Sequence, residues 1–308
     1  MPVDVRRPQA VFREEEPAAP DGPVVEVLTV LLTGRECPWR CLMCDLWRHT
    51  SPDPLPPGAV TAQLRDALSR PFPGRPRPAV LKLYNSGSFF DPGSVPPADR
   101  PEIARLAAGF DRLVVECHPK LALRPAVEGF LDELARGPQP APRLEVALGL
   151  ETVHPDVLDR LNKRMTAADF ARATRRLNQL GVAVRAFVLL QPPFLPARES
   201  VAWAVRSAAF AFEAGARAVS IIPTRPGNGA LDALAAAGVF SPPTLDQLEA
   251  ALERALALRA GLVFADVWDL ERFSACPVCF PARRRRLEQM NRTQRPQPAI
   301  RCPACAPA

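Results

Sequence analysis

Short apolar runs alternate with longer amphipathic segments along most of this chain. The runs are rich in valine, leucine and isoleucine and predict buried strands over 24–33, 80–85, 113–117, 144–150, 182–190, 218–222 and 262–267. The segments between them repeat apolar residues at helical spacing, and several end at glycine. They predict helices over 61–69, 100–109, 125–135, 155–162, 167–180, 199–214 and 244–260.

Strands that alternate with helices in this way pair in parallel through right-handed crossover connections. The chain offers six or seven such units, which is fewer than the eight of a closed barrel. The pattern therefore predicts an α/β fold with a partial (β/α)6-type TIM barrel. In such folds the active-site residues gather at the carboxyl ends of the strands.

The amino-acid composition says little about function, but it distinguishes the N-terminal residues from the rest of the chain. The 308 residues suffice for one large domain and a small appendage, and the net charge of +6 is compatible with a nucleic-acid partner without establishing one. Residues 1–23 are proline-rich, polar and non-periodic, so we expect a flexible arm there. No segment has the apolar length of a signal peptide or membrane span, and we expect a cytoplasmic protein without a membrane partner.

Three cysteines stand close together just after the first predicted strand. Cys37, Cys41 and Cys44 are separated by three and then two residues. In a reducing compartment clustered thiols bind metals rather than each other, and thiolates are the usual ligands of iron–sulfur clusters. Three thiolates leave one iron of a four-iron cubane open, as in a catalytic metal site. The alternatives are a structural zinc site completed by a distant ligand and a chance cluster of cysteines.

This spacing is identified as the signature of the radical S-adenosylmethionine (SAM) superfamily, with Met43 at a position that is often aromatic. The resemblance implies a [4Fe–4S] cluster on Cys37, Cys41 and Cys44, whose open iron binds SAM. Reductive cleavage of SAM then gives a 5′-deoxyadenosyl radical that abstracts a hydrogen atom. It also implies an electron donor of the flavodoxin or ferredoxin type, and a partial-barrel core domain, here residues 24–270.

Residues at the ends of later strands match positions that contact SAM in this superfamily. The segment Ser86, Gly87 and Ser88 follows the second predicted strand, and the resemblance assigns it to the SAM amino group. An ordinary strand-to-loop turn is the alternative, because small residues and glycine also favour turns.

A carboxylate ends the fourth predicted strand. The resemblance gives Glu151 a contact to SAM and gives Lys163, or Arg164, a contact to the SAM carboxylate. A glutamate that favours a helix N-terminus is the alternative for Glu151. Cys117 and His118 close the third predicted strand and are candidates for the substrate side.

Five short segments resemble a narrower group, the radical SAM subunit of archaeosine synthase and its bacterial homologues, near the Elongator catalytic subunit and the methylthiotransferases. They are 84–88, 149–152, 161–163, 189–194 and 223–229. The resemblance implies radical rearrangement or carbon–nitrogen cleavage on a modified tRNA base, with tRNA and a partner subunit as candidate partners. Radical chemistry on a peptide or small metabolite is an alternative. A zinc-dependent nucleic-acid-binding protein is another, but it leaves the first cysteine group unexplained.

Two further cysteine pairs lie in a small C-terminal metal-binding module, residues 271–308. Cys276 and Cys279 precede Cys302 and Cys305 by a gap of 22 residues. Two C-x2-C units favour a four-thiolate zinc site, and a second iron–sulfur cluster is the competing interpretation. The arginine run 283–286 between the pairs predicts a solvated face or a phosphate contact.

Overall fold

A computed structural model describes residues 3–85 and 87–305, which form one eight-stranded sheet with helices around it. The strands follow one another in chain order across the sheet. They are β1 Ala10–Pro17, β2 Val24–Leu32, β3 Val80–Asn85, β4 Arg112–Cys117, β5 Arg143–Glu151, β6 Ala183–Leu190, β7 Ala218–Pro223 and β8 Leu262–Ala265. β1 is antiparallel to β2, and every later pair is parallel.

One or two helices follow each of the strands β2 to β7, so that six strand–helix units confirm the predicted partial barrel. The helices are α1 Ala59–Ser69, α2 Arg100–Leu106, α3 Pro119–Ala122, α4 Ala126–Arg136, α5 Pro155–Arg160, α6 Ala167–Gln179, α7 Ser200–Glu213, α8 Ala230–Ala236, α9 Leu245–Leu256 and α10 Phe280–Thr293. Among the helices of the described ranges, none combines the length and apolar character needed to cross a bilayer.

The two faces of the sheet differ in chemistry. Outward-facing residues such as Leu81 and Val115 belong to one large apolar core that includes residues of the surrounding helices. Because side chains alternate along a strand, their neighbours point inward. Several of these inward residues are charged, among them Lys82, Glu145 and Arg185, all at most 7% exposed. The interior of the barrel therefore combines a small apolar cluster with buried ion pairs.

An ion pair across the interior shows that the sheet curls. Glu16 of β1 lies 3.1 Å from Arg185 of β6. Five strand spacings in a flat sheet would separate these strands by roughly 24 Å. The sheet is therefore a half barrel, and in the described part of the chain no ladder joins β8 back to β1.

The N-terminal segment expected to be a flexible arm contains β1, and that expectation is wrong for residues 10–17. Glu16 is 3% exposed and pairs with Lys82 at 2.9 Å, Arg112 at 3.3 Å and Arg185. Burial disfavours its charged form, but these cations outweigh that cost and lower the pKa of Glu16. A charged segment becomes ordered here because its charges are paired inside the barrel.

Helix α10 covers the free edge of β8. The Gln294 side chain, just beyond the helix, donates to the carbonyl of Val263 and accepts from its N–H, at 2.9 and 2.7 Å. The Asn291 side chain does the same for Ala265, at 2.8 Å in both directions. Two amide side chains thus satisfy backbone groups that an edge strand would otherwise leave unpaired.

Candidate active site and metal centre

A cavity of about 1800 Å³ opens at the carboxyl ends of the parallel strands. It is the place where the fold brings most of the predicted site residues together. The residues from the sequence prediction that line it are Cys37, Cys41, Cys44, Gly87, Ser88, Cys117, His118, Glu151 and Lys163. Ser86, which was predicted with them, lies outside the described residues.

The segment after β5 and α5 holds the first cysteine loop. The N–H of Leu42 donates to the carbonyl of Leu161 at 2.9 Å. The Asn162 side chain donates to the carbonyls of Trp39 and Arg40, at 3.3 and 3.0 Å. These bonds fix a loop that has no regular secondary structure of its own.

Asn228, in the loop after β7, holds the other end of the same cysteine loop. Its amide nitrogen donates to the carbonyl of Leu42 at 2.8 Å and to that of Cys44 at 3.3 Å. Its amide oxygen accepts from the N–H of Leu231 at 2.7 Å, at the start of α8. Sequence reasoning assigned the 223–229 loop only by resemblance and did not identify Asn228, because its partners lie about 185 residues away.

The three thiols of this loop are unpaired and partly buried. Burial raises the pKa of Cys41 to about 11 and that of Cys44 to about 12, and it also raises the pKa of Cys37. Metal binding must therefore displace protons from these thiols. The nearby Lys163 ammonium opposes the shift at Cys37 and Cys41.

Spacing of the thiols tests whether a cluster fits. Over residues 3–85 and 87–305, only the C-terminal cysteines form a group whose ligand atoms all lie within 4.8 Å of one another. At least two of the Cys37, Cys41 and Cys44 sulfur atoms are therefore more than 4.8 Å apart. Ligands of a cubane bind different irons, so a wider spacing within one fixed loop suits a cluster.

Glu151 and Lys163 form a buried ion pair beside this loop. Lys163 Nζ lies 2.5 Å from Glu151 Oε1, and the two side chains are 10% and 8% exposed. Burial alone would lower the pKa of Lys163, but Glu151, together with the Cys41 and Cys37 thiolates, outweighs it and raises this pKa. Gly149 leaves room for the pair, because a Cβ there would overlap both charged groups.

The β3 end carries Gly87 and Ser88 to the cavity wall. A Cβ at Gly87 would overlap the Ser94 hydroxyl, so the close approach requires glycine. The Ser88 hydroxyl accepts from the N–H of His118 at 2.9 Å. The structure therefore gives Ser88 a bond that ties the ends of β3 and β4 together, and its predicted role toward SAM remains a prediction.

His118 supports the cysteine loop, whereas sequence reasoning expected it on the substrate side. Its ring stacks on Trp39 with centroids 4.0 Å apart. Nδ1 accepts from the N–H of Lys120 at 3.2 Å, so Nε2 carries the proton and donates to the carbonyl of Lys163 at 3.0 Å. Burial lowers the pKa of His118 to about 4. Both ring nitrogens are thus engaged, and neither is available to a substrate.

Cys117 and Glu116 both line the cavity, and the sequence analysis named only Cys117 as a candidate. The Cys117 thiol is buried and contacts the carbonyl of His118 at 3.2 Å. Glu116 lines the cavity, accepts from the N–H of Asn85 at 2.8 Å and was not predicted. Burial raises the pKa of Glu116 to about 8. Its inward position at a strand end is the only signal that could have identified it.

The four C-terminal cysteines come together in one group that could hold a metal ion, as the two C-x2-C units predict. The Sγ atoms of Cys276 and Cys302 are 4.0 Å apart, and those of Cys279 and Cys305 are 3.7 Å apart. Tetrahedral coordination with metal–sulfur bonds of about 2.3 Å places ligand sulfurs about 3.8 Å apart. The backbone N–H of Cys279 lowers the pKa of Cys276 to about 6, which favours a thiolate. The four-cysteine site is confirmed, and its dimensions fit a single ion.

Two curated proteins named archaeosine synthase subunit beta are similar to this chain, whereas no protein-family model matches it. The protein from Thermococcus kodakarensis is 33% identical over 147 residues, which cover 46% of this chain and 44% of the relative. The protein from Methanosarcina acetivorans is 29% identical over 197 residues, which cover 61% of this chain and 54% of the relative. The chain thus spans about half the length of these relatives.

A solved structure supports the fold assignment. The crystal structure of methylornithine synthase matches with a TM-score of 0.50 and 13% identity, over 78% of this chain and 64% of that one. At this identity the likeness concerns the fold alone. Over about half its length the chain is thus similar to archaeosine synthase subunit beta, and its cysteine motif and half barrel agree with the resemblance to the radical SAM superfamily.

Proposed function

We propose that the protein is a radical SAM enzyme that reductively cleaves SAM and acts on a modified nucleoside in tRNA. The observation that carries this proposal is the shared position of three unpaired thiols and the Glu151–Lys163 pair on one large cavity. Cys37, Cys41 and Cys44 would hold a [4Fe–4S] cluster. When bound, the cluster supplies the electron that cleaves SAM to methionine and a 5′-deoxyadenosyl radical.

The buried ion pair suits the charges of SAM. The amino-acid end of SAM carries a carboxylate and an amino group, so a buried site for it needs a cation and an anion. Lys163 provides the ammonium for the carboxylate, and Glu151 provides the carboxylate for the amino group. In the free protein the two side chains neutralise each other, so neither is left as an isolated buried charge.

The cavity also has room for a second reactant. Pockets for small ligands commonly measure about 300–1,000 Å³, whereas this one measures about 1800 Å³. A tRNA substrate agrees with the name of the relatives and with the net charge of +6. A peptide or small metabolite is the alternative substrate for the same radical chemistry.

Several partners follow from the same proposal. The relatives are named as beta subunits, so we propose a partner subunit. A flavodoxin- or ferredoxin-type protein would deliver the electron. Unpaired thiols require a reducing compartment, for which we propose the cytoplasm.

Anaerobic reconstitution with iron and sulfide tests the enzyme. Under strong reduction we expect the wild type to form 5′-deoxyadenosine from SAM, measured by mass spectrometry. C41A should lose both the cluster absorbance and this product, whereas C117A, which changes a buried thiol outside the motif, should keep both. A reconstituted wild type that holds iron but forms no 5′-deoxyadenosine would refute the proposal.

A nucleoside profile tests the substrate. Digested tRNA from a strain that lacks the gene should lose one modified nucleoside or accumulate its precursor. Complementation with the wild-type gene should restore the nucleoside profile, and complementation with the gene for C41A should not. An unchanged profile would favour the peptide or metabolite alternative.

We also propose zinc at the C-terminal centre, because the sulfur spacing fits one tetrahedral ion. The thiolates of a second cubane would bind different irons and stand wider apart. Elemental analysis of the full chain should find one zinc per chain that persists in C41A and is lost in C276S. Iron in place of zinc at this centre would contradict the assignment.

A further inference from the structure

The arginine run of α10 divides between two faces of the helix. Arg283 lies 2.6 Å from Asp246 and 2.7 Å from Glu249 of α9. Arg286 is 6% exposed and pairs with Glu249 and Glu253 of the same helix. These two arginines, three positions apart, attach α10 to α9 and are not available to a ligand.

The other face of α10 forms part of the cavity mouth. Arg284, Arg285 and Arg292 are exposed and line it. Arg284 pairs with surface carboxylates, and Arg292 lies 3.4 Å from Glu15 of β1. Within the described ranges, Arg285 has no carboxylate within ion-pair distance. Glu288 of the same face also lines the mouth, so Arg285 carries the positive charge that no carboxylate pairs with here.

An exposed tryptophan stands on the same mouth. Trp268 is 58% exposed, although its backbone is firmly held. The backbone N–H of Trp268 donates to Asp266 at 3.0 Å, and its backbone carbonyl accepts from Arg225. Arg225 in turn pairs with Asp266 at 2.9 Å. The Trp268 ring contacts Phe12 of β1 with centroids 5.6 Å apart, across the gap between β1 and β8. A large aromatic surface is thus fixed in place and open to solvent.

We propose that Trp268 and the mouth-facing arginines form an RNA-binding site at the open side of the half barrel. A base of single-stranded RNA stacks on Trp268, and neighbouring phosphates contact Arg285 and Arg292. Unstacked bases on aromatic rings and phosphates on guanidinium groups are the usual elements of single-stranded RNA recognition. This inference rests on the proposed tRNA substrate, and it specifies how a nucleotide would reach the cavity.

Binding of fluorescently labelled tRNA transcript to the full chain tests the site separately from the radical chemistry. Loss of a stacked base corresponds to about a 5- to 150-fold weaker affinity, so we expect W268A to bind on the order of 10-fold more weakly. W268F keeps a stacking ring and should retain most of the affinity. R285Q and R292Q should each weaken binding and reduce the slope of log affinity against log salt by about one.

The matched control is R175Q, which removes an exposed arginine of α6 on the outside of the barrel. It should bind tRNA as the wild type does. Unchanged zinc content and thermal unfolding of W268A and R285Q would show that they remain folded.

Three results would overturn the inference, and they separate it from the proposed function. If the wild type binds tRNA and W268A and R285Q bind equally well, the site is wrong while the tRNA proposal stands. If the wild type forms 5′-deoxyadenosine but binds no tRNA, both the site and the tRNA substrate are refuted. If the variants lose binding of an acidic peptide but not of tRNA, the surface serves a protein partner.

Discussion

Replacing Lys163 with methionine would leave a carboxylate buried without its cation. Both side chains of the Glu151–Lys163 pair are at most 10% exposed. Removal of one partner from such a buried pair destabilises the folded state by about 3–5 kcal/mol, because the remaining charge keeps its desolvation cost. We therefore expect K163M to lower the free energy of unfolding by about 3–5 kcal/mol.

A double variant isolates the charge from the packing. Replacement of a whole buried ion pair by apolar residues of similar volume is often close to neutral, so E151L/K163M should recover most of the stability that K163M loses. The matched control is R172M, which breaks the Arg172–Asp169 pair on the surface of α6, where Arg172 is 58% exposed. R172M should lower the free energy of unfolding by no more than about 1 kcal/mol.

The assay is urea unfolding of the reduced, zinc-loaded chain, followed by far-ultraviolet circular dichroism. Iron content after anaerobic reconstitution supplies a second readout for each variant. If K163M and R172M lower the free energy of unfolding by the same amount, the pair is effectively solvated. In that case the desolvation argument fails, and with it the reason for assigning both charges of SAM to this pair.

Three other perturbations test how the site is held. H118A should reduce iron incorporation, because it removes the Trp39 stack and the bond to the Lys163 carbonyl. H118F restores a ring and should recover part of the loss. Equal iron content in the wild type, H118A and H118F would contradict this support role. The pKa of Glu116 is raised to about 8 in the folded state, whereas an unfolded glutamate has a pKa of about 4. The folded state therefore binds this proton more tightly, and the stability that the proton contributes is lost as the pH rises from about 4 towards 8. E116Q should flatten that part of the profile, and an unchanged slope would place the carboxyl in solvent. Q294A should lower the free energy of unfolding by about 1–3 kcal/mol and speed hydrogen exchange at the Val263 N–H. A Val263 N–H that stays protected in Q294A would contradict the role of this bond.

The parallel strands and their helices could be predicted because their signal is local. Leu81, Leu83, Leu113 and Val115 face the helices at alternate positions and are fully buried. This alternation, with amphipathic helices between the strands, is written into consecutive residues. The two cysteine groups could be recognised for the same reason, since each C-x2-C or C-x3-C unit places its candidate ligands within a few residues.

β1 could not be predicted, because the reason for its order lies far away in the chain. Its three consecutive glutamates, 14 to 16, indicate a solvated segment when only neighbours are considered. The partners of Glu16 are Lys82, Arg112 and Arg185, the last of them 169 residues away. Nothing local to the segment encodes this pairing. The roles of His118 and Asn228 escaped prediction in the same way, since each acts on the distant cysteine loop.

The arginine run of α10 shows how helical geometry changes an electrostatic interpretation. Counting charges along the sequence treats 283–286 as one basic patch. Successive helical residues point about 100° apart, so four adjacent side chains cannot share one face. Arg283 and Arg286 consequently pair with α9, and Arg284 and Arg285 face the cavity mouth. The salt dependence of tRNA binding should therefore reflect the mouth-facing arginines alone, and neutralising Arg283 should affect stability rather than the salt slope.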